Sequence, residues 1–207
     1  MTMLQTLKSL LSRACTGTAS LFQDRRGVAA VEFALVAPIL MALYFVTMEV
    51  SQGIESNKKV SRAAAMIADL VSQEQGVDKE DLAKIMQIGQ AIIYPYNRTK
   101  PAIEITGIDI SDENNPKATV SWSRKLVNDV ASPGRAKNSA VTVPDKLKIR
   151  GTFLIQVTTS LDYRPLVTWA ADAKTSMGLT AAFDSIGMAE TYFLRPRTSN
   201  TVSCDDC

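Results

Sequence analysis

Arg25-Arg26-Gly27-Val28-Ala29-Ala30-Val31-Glu32-Phe33 opens the stretch that decides how this chain is organised, an apolar run continuing to Met48. From Val28 to Met48 there are about 21 residues, or roughly 31 Å as an α-helix, enough to cross a hydrocarbon core of about 30 Å. Glu32 is the single charge in that run. A carboxylate in a spanning helix costs on the order of 2.5–3.5 kcal/mol at the bilayer centre and less toward an end, so a compensating cation is expected. Pro38 falls inside the run, where a lost donor and a ring clash favour a kink. Such prolines are also common in membrane helices with no special role.

The flanks give the orientation. Lys8, Arg13, Arg25 and Arg26 precede the run, opposed only by Asp24, and Arg25-Arg26 abuts it. Beyond it come Glu49 and Glu55, and the basic residues Lys58, Lys59 and Arg62 begin about ten positions away. Counting basic residues near the span, and weighting the abutting Arg25-Arg26, puts the N-terminus in the cytoplasm and the bulk of the chain in the periplasm or outside the cell. The first 27 residues do not read as an ordinary secretory signal, because the apolar run is too long and no Ala-x-Ala site follows it. Leu4, Leu7, Leu10 and Leu11 form a short helical stripe there, and a removed leader is the better reading than a cytoplasmic surface helix.

Composition narrows the function classes. With 207 residues, setting aside the first fifty leaves about 150 for one compact domain. A net charge of +2 is too balanced for nucleic-acid binding. Histidine is absent, which removes the commonest general base and most zinc sites, so no enzyme chemistry, catalytic residue, metal or cofactor is expected. Of the three cysteines, Cys15 lies in the leader, while Cys204 and Cys207 form Cys-Asp-Asp-Cys. That pair has redox-motif spacing without the strand-to-helix context that activates a thiol. A structural disulfide is the expectation, with bonding to each other or to another chain both open.

Beyond Met48 the helical pattern becomes one-sided. Val60, Ala63, Ala64, Ile67, Leu70 and Val71 make a stripe facing a partner surface. Gly76 ends that helix, and Asp78 with Asp81 starts a second whose apolar face is Leu82, Ile85, Met86, Ile92 and Ile93, stopped at Tyr94-Pro95. From Pro101 the period is two. Ile103 and Ile105 alternate, then Ile108 and Ile110 on the opposite phase, which predicts a β-bulge at Gly107. Ser111 to Pro116 is a turn, and Ala118, Val120 and Trp122 form the returning strand. Residues 124–148 read as a long connection, with room for a short helix. Phe153 to Tyr163 is the strongest strand, Val167 to Ser185 a loop or short helix, and Met188 to Leu194 a last strand. Residues 195–207 read as a polar tail, disordered or lightly tethered. The fold class is α+β, a long transmembrane helix continuing into a domain with an antiparallel sheet of about four strands.

Other constellations have bland readings. Asp109, Asp112, Glu113, Asn114 and Asn115 lack the spacing and central glycine of a calcium loop and read as a solvated turn. Trp122, Tyr94, Tyr96 and Trp169 read as core or sheet-face residues. Lys146, Lys148 and Arg150 read as one exposed face of a strand.

Basic residues, then glycine, then an apolar helix with glutamate at the fifth position resemble the processing site of type IV prepilins. The fuller string, Arg-Arg-Gly-Val-Ala-Ala-Val-Glu-Phe-Ala-Leu-Val-Ala-Pro, is similar to that of TadE-like pseudopilins of the tight-adherence (Tad/Flp) pilus system. The downstream segments Leu161-Asp162-Tyr163-Arg164-Pro165-Leu166 and Arg195-Pro196-Arg197 agree with it. The likeness is dense over Asp24 to about Asp69 and thin thereafter, and it leaves no room for the von Willebrand-type domain of longer TadG-like relatives. It implies a minor pilin cut between Gly27 and Val28 by a membrane-embedded prepilin peptidase. Glu32 would pair with a subunit's new amine as helices bundle, in company with other pilins, inner-membrane assembly proteins and membrane lipid. The implied organisation is a leader at 1–27, a transmembrane helix at 28–48, a pilin-like periplasmic domain at 49–197 and a tail at 198–207. The competing reading is an uncleaved signal anchor carrying a periplasmic binding or sensing domain, with Arg25-Arg26 merely orienting the helix and Glu32 snorkelling.

Overall fold

The computed structural model describes residues 27–96, 98–165 and 185–207. The readings of residues 1–26, including Cys15, Arg25 and Arg26, and of Val167 to Asp184, including Trp169, lie outside them. The described chain falls into two units, one reaching to Met48 and the other Glu49–Cys207. Helix α1 runs Val28–Gln73, with Pro38 inside it. Its residues up to Met48 are the described part of the first unit.

In the second unit, α1 buries Ser56, Val60, Ala63, Ala64, Ile67, Ala68, Val71 and Ser72. Spacings of three and four put these on one face. The expected stripe is therefore the packed one, with Leu70 only half buried at its margin. After β1 (Gly76–Val77), helix α2 spans Lys79–Ile93. Its N-cap is Asp78, whose carboxylate accepts from Asp81 N at 2.7 Å, satisfying one of the first-turn donors that a helix leaves open. Leu82, Met86, Gly89 and Ile93 form its buried face.

The sheet has five strands rather than about four. β2 (Ala102–Ile110), β3 (Ala118–Val127), β4 (Val130–Pro133), β5 (Phe153–Tyr163) and β6 (Ile186–Leu194) lie in the order β4-β3-β2-β5-β6, all antiparallel. The added strand, β4, comes from the segment read as a connection. Asn128 and Asp129 both take positive φ, 50° and 65°, the backbone a two-residue hairpin needs. Lys146, Lys148 and Arg150 do not share a strand face. Asp145–Leu147 is a 3₁₀ turn, and Arg150 lies in the turn that follows.

The phase change along β2 has a different cause from a bulge in that strand. Against β5, β2 pairs without interruption from Ala102↔Ser160 to Asp109↔Phe153. Against β3 the register jumps from Gly107↔Trp122 to Ile108↔Val120, so the extra residue is Ser121 on β3. β2 is simply buried on both faces. Ile103, Ile105, Trp122, Phe153, Ile155 and Val157 join Ile67, Val71, Leu82 and Met86 in the core beneath the helices. Ile108, Ile110, Ala118, Val120 and Leu154 form a second core on the opposite face, covered by Val141, Val143 and Leu147. Hydrogen bonds from Val141 N to Ala118 O (3.0 Å) and Val120 N to Ser139 O (2.9 Å) hold that cover down.

Residues 197–207 are docked, not loose. Val202 is 1% exposed and sits in the core beneath the helices. The Trp122 indole donates to its carbonyl at 2.7 Å. β7 (Ser203–Cys204) pairs in parallel with β1. A buried Val at 202 and the unmet hydrogen-bonding groups at two helix ends outweigh the polar composition of the segment.

Candidate functional site

From Val28 to Val50 α1 displays mostly exposed apolar side chains. Phe33, Ile39 and Leu35 are 70%, 69% and 68% exposed, and Val31, Leu43 and Tyr44 exceed 60%. Soluble domains rarely leave so continuous an apolar surface bare, so its counterpart is lipid or another helix. By length and composition this is one helix able to cross a membrane. Thr47 turns its hydroxyl inward, donating to Leu43 O at 2.8 Å, which hides a polar group against the backbone.

Glu32 lies exposed within this surface, one helical turn or about 6 Å from Val28. Among the described residues no hydrogen bond or ion pair reaches it. Gly27 precedes the helix, and a Cβ built on it meets no described atom within 4 Å; its φ lies outside the left-handed region. Among the described residues, neither packing nor backbone strain therefore requires glycine at this position.

A second cluster lies in the Glu49–Cys207 unit. Tyr163, at the inward end of β5, donates to Glu49 Oε1 at 2.6 Å. Its ring stacks on Tyr96 with centroids 5.2 Å apart, and the Arg98 guanidinium lies 5.6 Å over the Tyr96 ring. Burial first, and then the hydrogen bond to the Glu49 carboxylate, push the Tyr163 phenol up to about 12, against the opposing pull of Arg98. Tyr163 is thus a fixed donor at ordinary pH. Tyr96 Oη accepts from Arg164 N at 2.7 Å, and Arg98 donates to the Arg164 carbonyl, which fastens the end of β5 to the chain leaving α2. Nothing in the sequence pairs Glu49 with Tyr163, 114 residues apart. The only signals are the inward phase of Tyr163 on β5 and the position of Glu49 directly after the apolar run.

Beside that cluster, Gln52, Glu55, Ser56, Lys59, Pro95, Tyr96 and Arg98 line a groove of about 300 Å³. Lys59 Nζ pairs with Glu55 at 3.1 Å and donates to Tyr94 O at 3.1 Å. Both contacts hold its ammonium at the edge of the groove. Cys204, Asp206 and Cys207 bring three potential metal donors within 4.8 Å of one another, yet the two sulfurs are joined in a disulfide. A bonded pair offers no thiolate to an ion.

Gly27, Val28, Glu32 and Pro38 belong to the first unit, Cys204 and Cys207 to the second. No curated protein and no solved structure matches the chain. The family described as TadE-like protein matches residues 27–69, from the glycine before α1 through the packed half of that helix. Over that segment the chain is similar to the TadE-like family.

Proposed function

We propose that this chain is a minor pilin, or pseudopilin, of Tad/Flp type IV pilus assembly, with a structural role and no catalysis. A prepilin peptidase hydrolyses the Gly27–Val28 bond, leaving Val28 with a protonated amine at the head of α1. Residues 28–48 span the inner membrane with the N-terminal side cytoplasmic, and 49–207 stand in the periplasm. Pro38 bends the span and sets how it packs among other pilin and assembly-protein helices. The reading is supported above all by Glu32, an exposed carboxylate on an otherwise apolar surface, within the TadE-like segment. In lipid an uncompensated carboxylate is the costly state. The new amine of a neighbouring subunit is a cation of the right charge at nearly the right level, since both groups lie within one turn of the helix start. Gly27 fits a peptidase that needs close backbone approach, and no described residue packs against the space its missing side chain leaves.

N-terminal sequencing of the membrane-extracted protein from a piliated native host tests this. Val28 at the start is expected. Met1 at the start, with pili intact, overturns processing and favours an uncleaved anchor bearing a periplasmic binding or sensing domain.

A further inference from the structure

The segment from Arg197 to Cys207 answers the open hydrogen-bonding groups of two helix ends at once. At the carboxyl end of α1, Arg197 N donates to Ser72 O at 2.8 Å and Thr198 Oγ1 to Gln73 O at 3.0 Å. The Arg197 guanidinium also pairs with Asp69. Ser203 N donates to Gln75 O at 3.3 Å just beyond. At the amino end of α2, Asp206 Oδ1 accepts from Lys79 N at 2.9 Å, and Oδ2 lies 3.6 Å from Lys79 Nζ. Positive donors at a carboxyl end and a carboxylate at an amino end are the favourable signs for both helix dipoles. Asp206 lies inside the loop closed by the Cys204–Cys207 bond, whose Cα atoms are 5.6 Å apart. Cys207 has no hydrogen bond or ion pair among the described residues, and only partial packing holds it against the core. The disulfide is therefore the covalent tie that fixes Asp206 on α2 while β7 lies on β1.

We infer that Cys204 and Cys207 are a redox modification site, a clasp closed by a disulfide oxidant and opened by a dithiol, whose state governs the docking of residues 197–207 on both helices. In closing, one protein thiolate attacks a sulfur of the oxidant disulfide, forms a mixed disulfide and expels one thiolate. The second protein thiolate attacks the bonded protein sulfur, the Cys204–Cys207 bond forms, and the second thiolate leaves. Two electrons pass from the cysteines to the oxidant, and the two thiol protons go to its sulfurs. Opening is the reverse exchange with a dithiol, which leaves as its own cyclic disulfide. The loop is reachable, since Asp205 and Asp206 are exposed and both cysteines are half exposed.

The test is amide hydrogen exchange on the full chain in detergent micelles, in a Cys15→Ser background, with oxidised or reduced dithiothreitol as the probe. Reduction is expected to speed exchange at Lys79 and Ser203 at least tenfold, with Ile105 and Val157 in the sheet unchanged. The Cys204→Ser/Cys207→Ser variant should behave like reduced protein. Asp206→Ala should speed Lys79 alone, leaving Ser203 within twofold. Exchange at Lys79 and Ser203 equal within twofold in the two redox states overturns the clasp. So does a reduction that speeds the sheet amides equally, because the bond then holds the whole domain. Should the double variant fail to fold, reduction of the folded parent decides between these outcomes.

Discussion

Gly107→Ala is the sharpest probe of how the main core meets the docked segment. A Cβ at Gly107 would stand 2.5 Å from Cε2 and 2.6 Å from Nε1 of Trp122, and 2.7 Å from Cζ of Phe153. Both neighbours are rings inside a packed core, at 5% and 3% exposure, with no flexible end to swing aside. The indole is further tied by its bond to Val202 O. Overpacking a core by one methyl costs about 1–3 kcal/mol, and displacing the indole forfeits a hydrogen bond with a net contribution of about 0.5–1.5 kcal/mol. Alanine regains about 0.5–1 kcal/mol over glycine in a strand. The net expectation is a loss of about 0.5–4 kcal/mol, read as a lower urea midpoint for the full chain in micelles by near-ultraviolet circular dichroism. Exchange at Ser203 and Cys204 should quicken in the same variant, because the displaced indole releases Val202. Unchanged or raised stability refutes the close approach. A lower midpoint with Ser203 still protected refutes the coupling through Trp122.

Four further outcomes follow from the geometry. Because Tyr163 holds its proton more tightly folded than unfolded, its contribution is complete below about pH 10 and is lost as pH rises toward about 12; urea midpoints should fall across that window, and Tyr163→Phe should flatten the fall. At neutral pH Tyr163→Phe also removes a bond to a carboxylate and should cost about 1.5–3 kcal/mol by urea titration. Ile67→Ala empties a fully buried position between α2 and β2, for a loss of about 2–5 kcal/mol measured the same way. In the native host Glu32→Ala should leave the processed gel mobility while reducing piliation at least tenfold by electron microscopy, and normal piliation would refute the pairing of Glu32 with an amine.

Local signals carried much of the architecture. The spacing of Val60, Ala63, Ala64, Ile67 and Val71 gave the packed face of α1, and Asp78 with Asp81 gave the start of α2, since both depend on neighbours within a turn or two. The apolar run from Val28 was legible for the same reason, and the TadE-like likeness rested on it. What escaped depends on distant partners. Ile108 and Ile110 looked like a phase flip because the cover over the second sheet face, Val141 and Val143, carries no periodicity of its own. The hairpin at Asn128-Asp129 was hidden by a strand of only four residues, too short to show alternation. Residues 197–207 read as loose because their order comes from helix-end groups more than a hundred positions away, at Ser72, Gln73 and Lys79. The link from Glu49 to Tyr163 is of the same kind.

The open space around Gly27 has a practical meaning. Because no described atom lies within 4 Å of a Cβ built there, exchanging the glycine for alanine or another small residue should leave the thermal midpoint of the Glu49–Cys207 unit where it was. A set of such replacements therefore works as a clean genetic instrument: whatever differences the cell registers between them report the tolerance of the molecules that handle this chain, uncontaminated by damage to the chain itself.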